Sequence, residues 1–145
     1  MPTNLAHLDA LADAVAADLS SATLSLPFTA ERLPVVNLEL KDLTTLKVGV
    51  IGATDEGTLG SRSSTDHEYG LLIVVQKKLA ALTNAEVDPL KHLVQEIGDY
   101  WRFREVPGRE ERWIKTEVVP YSTERMVQEL LFASVAKLTF TGSRP

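Results

Sequence analysis

The stretch from His67 to Leu79, HEYGLLIVVQKKL, constrains the fold more than any other part of the sequence. Side chains alternate between the two faces of a strand, so both faces of this stretch would be apolar. One face would carry Tyr69, Leu71, Ile73 and Val75, and the other Leu72 and Val74. Apolar residues on both faces are typical of a central strand that is covered on both sides. The stretch therefore predicts a sheet organised around one buried strand.

Length and composition restrict the classes of protein that fit. A chain of 145 residues is expected to form a single domain, residues 1–145. There is no cysteine, which excludes disulfides and thiolate metal sites. A net charge of −5 argues against a protein that grips nucleic acid, because that task requires an excess of Lys and Arg. We also expect no secretory signal and no membrane-spanning segment.

The first part of the chain predicts a helix, a connector and a hairpin. Apolar residues recur at helical spacing at Leu5, Leu8, Leu11, Ala12, Val15 and Leu19. Thr3 or Asn4 could cap this helix, and Ser25 to Pro34 would be an extended connector. Two alternating segments, Val36 to Leu40 and Leu46 to Val50, are most simply paired as a hairpin.

The stretch from Gly52 to Asp66, GATDEGTLGSRSSTD, is poor in apolar residues and rich in Gly, Ser and Thr. It predicts a long exposed loop between two strands. Long loops in compact domains are often functional, so its charged and polar residues are our candidates for contact with a partner subunit. These are Asp55, Glu56, Arg62, Ser63 and Asp66. The alternative is a loop that is simply solvated.

The remaining chain predicts a second helix and two more strands. Thr83 and Glu86 match a capping box, although Asp88 could instead cap a helix with Pro89 in its first position. The apolar stripe of this helix comprises Val87, Leu90, Val94, Ile97 and Trp101. After this helix we expect a charged turn around Pro107 and Gly108 and a strand from Trp113 to Val119. A short helical turn from Glu124 to Gln128 and a last strand follow, and the chain ends in a polar tail from Thr141 to Pro145. The apolar residues of the last strand are Phe132, Ala136, Leu138 and Phe140.

Together these elements predict an α+β fold. We expect a mostly antiparallel sheet of about five strands, with an N-terminal helix and one long helix packed on it.

The segment Lys47 to Thr54, KVGVIGAT, superficially matches the strand and glycine turn of a dinucleotide-binding fold. That motif needs a helix directly after the glycines to bind the pyrophosphate. No helical periodicity follows Gly52, and Asp55 and Glu56 would repel phosphate. We therefore expect a strand and no cofactor here.

Two further groups of residues have a simpler structural explanation. In a strand, Asp66 and Glu68 share one face and His67 points to the other, so the three do not converge on a metal ion. The cluster Tyr100, Trp101, Arg102, Phe103 and Arg104 resembles the aromatic and basic mixture of single-strand binders. Packing of Trp101 and favourable placement of the arginines at a helix C terminus are the explanation that we favour.

The chain as a whole resembles the tail terminator or tail completion proteins of tailed, siphophage-type phages. The resemblance lies in the order and spacing of six stretches rather than in one sharp motif. They are AADLSSA, LELKDLTTLKVGVI, SRSSTDHEYGLLIVVQKKLA, TNAEVDPLKHLVQEIGDYWR, RWIKTEVVPYS and FASVAKLTF.

This resemblance implies a non-enzymatic structural protein of the virion, located at the junction of head and tail. Its subunits would form a ring, usually a hexamer, that caps the tail tube and meets the head-side connector protein. Genome DNA would pass through the lumen without specific binding. Alternatives are a head-side connector or stopper subunit that binds the portal assembly, and a small cytoplasmic nucleotide-binding domain that uses Gly49 to Gly60.

Overall fold

The computed structural model describes residues 6–34, 44–119 and 123–144. Three helices and five strands lie in these residues. In chain order they are α1 (His7–Ser21), β1 (Ala30–Arg32), β2 (Lys47–Leu59), β3 (Thr65–Lys78), α2 (Asn84–Tyr100), β4 (Arg112–Val119), α3 (Thr123–Glu129) and β5 (Leu131–Arg144).

The strands form one five-stranded sheet in the order β1-β2-β3-β5-β4. The predicted central strand is confirmed, because β3 pairs antiparallel with β2 on one side and β5 on the other. Only the short β1 runs parallel to its neighbour, β2. The predicted α+β class and mostly antiparallel sheet are therefore confirmed.

The main core lies between the sheet and the helices α1 and α2. The inward face of β3 contributes Tyr69, Leu71, Ile73 and Val75, all almost fully buried. The predicted stripe of α2 is buried as well, from Val87 to Trp101. On the opposite face of the sheet, Val74 and Ile51 are also buried, as expected for a strand covered on both sides. Burial of these apolar groups stabilises the fold.

The capping residue of α2 is Thr83, as the capping box predicted. Its hydroxyl accepts a hydrogen bond from the backbone N–H of Glu86 at 3.4 Å. The alternative start at Asp88 is wrong, because backbone bonds from Glu86 and Val87 to the Thr83 carbonyl already form the first turn. Pro89 lies inside the helix.

The prediction of a long loop from Gly52 to Asp66 is wrong. Strand β2 continues to Leu59 and β3 begins at Thr65, so most of this stretch is a β-hairpin. The ladder has one irregularity, between Gly52 and Thr54, after which pairing resumes. The residues are exposed, as predicted, but exposure on both faces removed the apolar alternation that identifies a strand.

Two smaller predictions also need correction. The connector from Ser25 to Pro34 contains β1, whose three residues pair with Val48, Gly49 and Val50. The segment from Thr141 onward is not a free tail, since β5 continues to Arg144 and pairs with the start of β3. A strand with no apolar side chains gives no periodic signal in the sequence.

Several predictions concern residues outside the described part of the chain. These are the caps Thr3 and Asn4, the first apolar position Leu5, the strand from Val36 to Leu40 and the tail residue Pro145. Within the described residues, no helix is long and apolar enough to cross a membrane.

We predict that Leu71→Ala destabilises the protein far more than Leu59→Ala. Leu71 is 0% exposed and Leu59 is 85% exposed, so the two variants delete the same atoms from opposite environments. The expected loss in the free energy of unfolding is about 2–5 kcal/mol for Leu71→Ala and under about 0.5 kcal/mol for Leu59→Ala. Urea denaturation measures both. Equal losses would contradict the burial of this face of β3.

Candidate functional site

The sheet extends beyond the core as a three-stranded projection. We call it the hairpin arm and define it as residues 53–59 of β2, 65–68 of β3 and 141–144 of β5. All arm residues in β2 are exposed, whereas Tyr69 at the base of the arm is buried. At about 3.3 Å per residue, the β2 part alone spans roughly 20 Å. The β2 strand of the arm is therefore open on both faces, whereas the side chain of His67 on β3 is mostly covered.

Cross-strand side chains cover the glycines of the hairpin. The imidazole of His67 lies over Gly57, and a Cβ placed at Gly57 would come within 2.9 Å of that ring. The carboxylate of Asp66 lies over Gly60 in the same way, and Thr54 lies over Gly70. Covering a strand glycine with a neighbouring side chain compensates for its missing packing. Gly57 and Gly70 therefore fit a strand, and Gly60 lies in the turn that follows β2.

The outer face of the hairpin arm is acidic. Glu56 and Glu68 are directly opposite each other on β2 and β3, and Asp66 lies two residues from Glu68 on the same face. Like charges in directly opposed positions destabilise a strand pair. The remaining positions on this face of the arm are hydroxyl residues, namely Thr54, Thr58, Thr141 and Ser143. Cations border this face, because Lys115 and Lys137 line a recess together with Glu56 and Glu68, and Arg112 lines another with Asp66.

The inner face of the arm is connected to helix α1 by two histidines. The Nδ1 atom of His67 lies 2.5 Å from a carboxylate oxygen of Asp55. The ring of His67 stacks on Tyr69, whose other neighbour in the stack is His7, with centroid distances of 5.6 Å and 5.2 Å. His7 Nε2 in turn lies 2.5 Å from Glu111 Oε1. This chain of contacts fixes the base of the arm against α1.

Glu111 is the buried end of this chain of contacts. Arg109 donates two hydrogen bonds to its carboxylate, at 3.0 Å and 2.8 Å. Burial alone would raise the pKa of Glu111, but hydrogen bonds from Arg109, from its own backbone and from His7 outweigh it and lower the pKa below 4.5. The carboxylate is therefore held in its charged form.

The tip of the arm is a short turn between Leu59 and Thr65. Backbone bonds from Gly60 and Ser61 to the Ser64 carbonyl close it, and the hydroxyls of Ser61 and Ser64 are 2.7 Å apart. Arg62 is exposed in this turn, and so is Leu59, which leaves 85% of its surface open.

A groove of about 540 Å³ separates α2 from the edge strand β4. Three cations, Lys91, Arg102 and Lys115, line it together with a single carboxylate, Asp99. Its apolar lining consists of Val94, Gly98, Trp113 and Val118. The groove is therefore apolar at its base and positively charged at its margins.

The aromatic and basic cluster at the end of α2 is mainly structural, which agrees with the packing interpretation rather than with the single-strand-binding one. Trp101 is fully buried and packs edge to face against Phe140. Arg104 binds Asp18 of α1 at 3.2 Å and lies over the Tyr100 ring, so a carboxylate rather than the helix end holds it. Phe103 is the exception. It is 85% exposed, and its one ring contact within the described residues is an edge-to-face contact with Trp113.

The five interface candidates from the sequence fall in three places on the arm. Glu56 and Asp66 lie together on the outer face, Asp55 lies on the inner face with His67, and Arg62 and Ser63 lie in the turn. The sequence analysis missed Glu68, whose alternation with Asp66 was the available signal. It also missed the pairing of His7 with Glu111, for which a separation of 104 residues leaves no local signal.

The structure lacks the geometry of a phosphate-binding loop between Gly49 and Gly60. Strand β2 occupies this segment up to Leu59 and leads through the turn into β3, so no helix N terminus follows the glycines. In the described part of the chain, no group of three or more His, Asp or Glu residues is placed to hold a metal ion.

Comparison with known proteins adds no identification. Neither a family model nor a curated protein matches this chain.

We predict that Glu111→Gln removes part of the acid sensitivity of the fold. Because the pKa of Glu111 is lowered on folding, its contribution to stability is complete above the unfolded pKa and is lost as pH falls through the folded value. At pH 7 the variant should lose about 1–3 kcal/mol of unfolding free energy. Between about pH 5 and pH 3 its stability should fall less steeply than that of the wild type.

Urea denaturation across this pH range measures the effect. The control is Glu110→Gln, an exposed carboxylate next to Glu111, which should keep the wild-type acid profile. Parallel profiles for wild type and Glu111→Gln would contradict the assignment.

We also predict that Glu56→Lys stabilises the isolated subunit. The substitution replaces the repulsion between Glu56 and Glu68 with an opposite-charge cross-strand pair. The expected gain is about 0.2–1 kcal/mol at low salt, measured by thermal unfolding. The gain should shrink with added salt, and a loss of stability would contradict the register of the arm.

Proposed function

We propose that this chain is a structural subunit of a phage tail. In this proposal it is a tail terminator that assembles as a ring, caps the tail tube and joins it to the head-side connector protein. The six-stretch resemblance supports this assignment, and the comparisons neither support nor oppose it. The role requires contact surfaces rather than catalytic groups.

The observation that carries the proposal is the hairpin arm. A sheet that extends roughly 20 Å beyond the core depends strongly on cross-strand contacts toward its tip. The cross-strand cover of Gly57, Gly60 and Gly70 supplies such contacts. An arm fixed at its base by His7, Tyr69 and Glu111 is suited to reach a neighbouring subunit or the tube.

The charge of the subunit also fits a passage for DNA. The chain carries −5 overall, and the outer face of the arm adds a local concentration of carboxylates. A lumen lined by basic residues would bind the phosphate backbone, whereas an acidic one lets DNA slide. We therefore propose that DNA passes through the ring without specific binding.

The proposal predicts a closed ring that binds one end of the tail tube. Light scattering or native mass spectrometry gives the mass in solution, and negative-stain images show whether the oligomer has a central hole. Mixed with purified tubes of the corresponding phage, the ring should cap one end and stop further polymerisation. Binding to the portal assembly without binding to tubes would favour the head-side connector role instead.

A protein that stays monomeric both alone and with tail tubes would contradict the proposal. Nucleotides provide a second check, because the strand geometry of Gly52 to Leu59 predicts no increase in melting temperature with ATP or NAD.

A further inference from the structure

Three side chains on the inner face of the arm form a continuous line of contacts. The hydroxyl of Thr65 lies 2.8 Å from Nε2 of His67, and Nδ1 of the same ring lies 2.5 Å from Oδ1 of Asp55. A hydroxyl next to a histidine that is itself oriented by a carboxylate is the arrangement that activates nucleophilic serines and threonines. It occurs on unrelated folds, so it is recognised by geometry rather than by sequence position.

The direction of these contacts follows from the chemistry of the carboxylate. A carboxylate only accepts hydrogen bonds, so Nδ1 of His67 carries the hydrogen that faces Asp55. In the neutral ring Nε2 is then the acceptor, and the Thr65 hydroxyl donates to it. His67 is therefore in the tautomer that can remove the hydroxyl proton of Thr65.

The hairpin holds the imidazole of His67 in place. The ring stacks on that of Tyr69 with an angle of 11° between the two planes, and Tyr69 is fully buried. The position opposite His67 on β2 is Gly57, where a Cβ would lie 2.9 Å from Cε1 and 3.2 Å from Nε2 of the ring. A side chain at position 57 would thus displace the base from the hydroxyl of Thr65.

The hydroxyl of Thr65 is accessible, and an apolar side chain lies next to it. Thr65 is exposed, whereas the side chain of His67 is only 11% exposed. Leu59 is directly opposite Thr65 in the ladder, so both lie on the same face, and 85% of the Leu59 surface is open. Directly opposed side chains are close enough for an acyl chain on Thr65 to contact Leu59.

From this geometry we propose that Thr65 is a nucleophile that accepts an acyl group from activated esters. His67 is its general base, and Asp55 is a positioning residue that acts through His67. This activity goes beyond the proposed structural role and does not depend on a ring, because all three residues belong to β2 and β3 of one subunit.

The proposed step is an acyl transfer with an ester as the only co-reactant. Oγ1 of Thr65 attacks the carbonyl carbon of the ester while Nε2 of His67 takes the hydroxyl proton. The tetrahedral intermediate then collapses, the bond between the carbonyl carbon and the leaving oxygen breaks, and His67 gives the proton to that oxygen. The products are acyl-Thr65 and a free alcohol or phenol.

The test is incubation of the isolated protein with p-nitrophenyl acetate at neutral pH. Absorbance follows the release of p-nitrophenol, and peptide mass spectrometry locates the acetyl group. We expect Thr65 to be acetylated at least about 100-fold faster than Thr58, since general-base catalysis contributes about that much or more. Thr58 is the internal control, because its hydroxyl donates to the backbone carbonyl of Asp66 instead of to a base.

Variants of the three residues assign their roles. Thr65→Val should abolish acetylation at this position, and Thr65→Ser should retain it. His67→Gln should slow acetylation of Thr65 at least about 100-fold. Asp55→Asn should slow it at least about tenfold, because an amide can donate to Nδ1 and leave the hydrogen on Nε2. Nitrogen NMR of the imidazole gives a separate readout, with the hydrogen of His67 expected on Nδ1 in the wild type and on Nε2 in Asp55→Asn.

Matched controls separate this chemistry from other effects. His92→Gln removes an imidazole whose side chain is 62% exposed, and it should leave acetylation of Thr65 unchanged. Gly57→Ala should slow the reaction by displacing His67, whereas Gly60→Ala, whose Cβ would meet the Asp66 carboxylate instead, should not. Far-UV circular dichroism of every variant checks that the protein is folded.

A change of substrate tests the contribution of Leu59. The wild type should react faster with p-nitrophenyl butyrate than with the acetate, because the longer acyl chain covers apolar surface on Leu59. Leu59→Ala should lose that preference and keep its rate with the acetate.

The outcomes are decisive for Thr65 and separate from the proposed function. Acetylation of Thr65 that is no faster than that of Thr58, or that persists in folded His67→Gln, would overturn the proposal. If p-nitrophenol is released without a detectable label, the release must disappear in Thr65→Val, and release that continues would overturn it as well. None of these results depends on ring formation or on capping of tail tubes, so the structural role stands or falls by its own test.

Discussion

The two ladders of β3 support both the core and the projecting arm. One ladder pairs β3 with β2 from Gln76 out to Thr65, and the other pairs it with β5 from Lys78 out to Thr65. The inner part of these ladders positions Leu71 and Ile73 against the helices, and the outer part positions Glu68 and Asp66 toward solvent. A slip of one residue would exchange the two faces, so the core fixes the orientation of the arm as well.

The sequence was sufficient to predict the buried half of the fold and insufficient for the exposed half. Apolar alternation identified β3, and the capping box identified the start of α2 at Thr83, because both signals come from groups that the fold buries or bonds locally. The arm lacks that signal. Its strands are exposed on both faces, and its glycines, which usually mark loops, are covered by His67 and Asp66 from the neighbouring strand. That cover becomes visible only when the register is known.

The candidate site divides in the same way. Glu56 and Asp66 could have been assigned to one surface if their segments had been predicted as paired strands, because the alternation of side chains would then have placed them on the same face. The contact of His7 with Glu111 joins the start of α1 to the turn before β4, and its separation of 104 residues hides it from any local pattern. The groove likewise depends on how closely α2 approaches β4, where Gly98 faces Thr116. Such features arise from packing between distant segments.

The position of β5 in the sheet has a consequence for synthesis of the protein. Strand β4 precedes β5 in the chain, and among the described strands it pairs with β5 and with none of the earlier ones. During synthesis on the ribosome, β4 therefore has no strand to pair with until residues 131–144 have emerged and occupied the position between β4 and β3. The hairpin of β2 and β3 can form earlier, because both of its strands have already emerged. Strand β5 would then pair with β3 of this hairpin, and β4 would pair with β5.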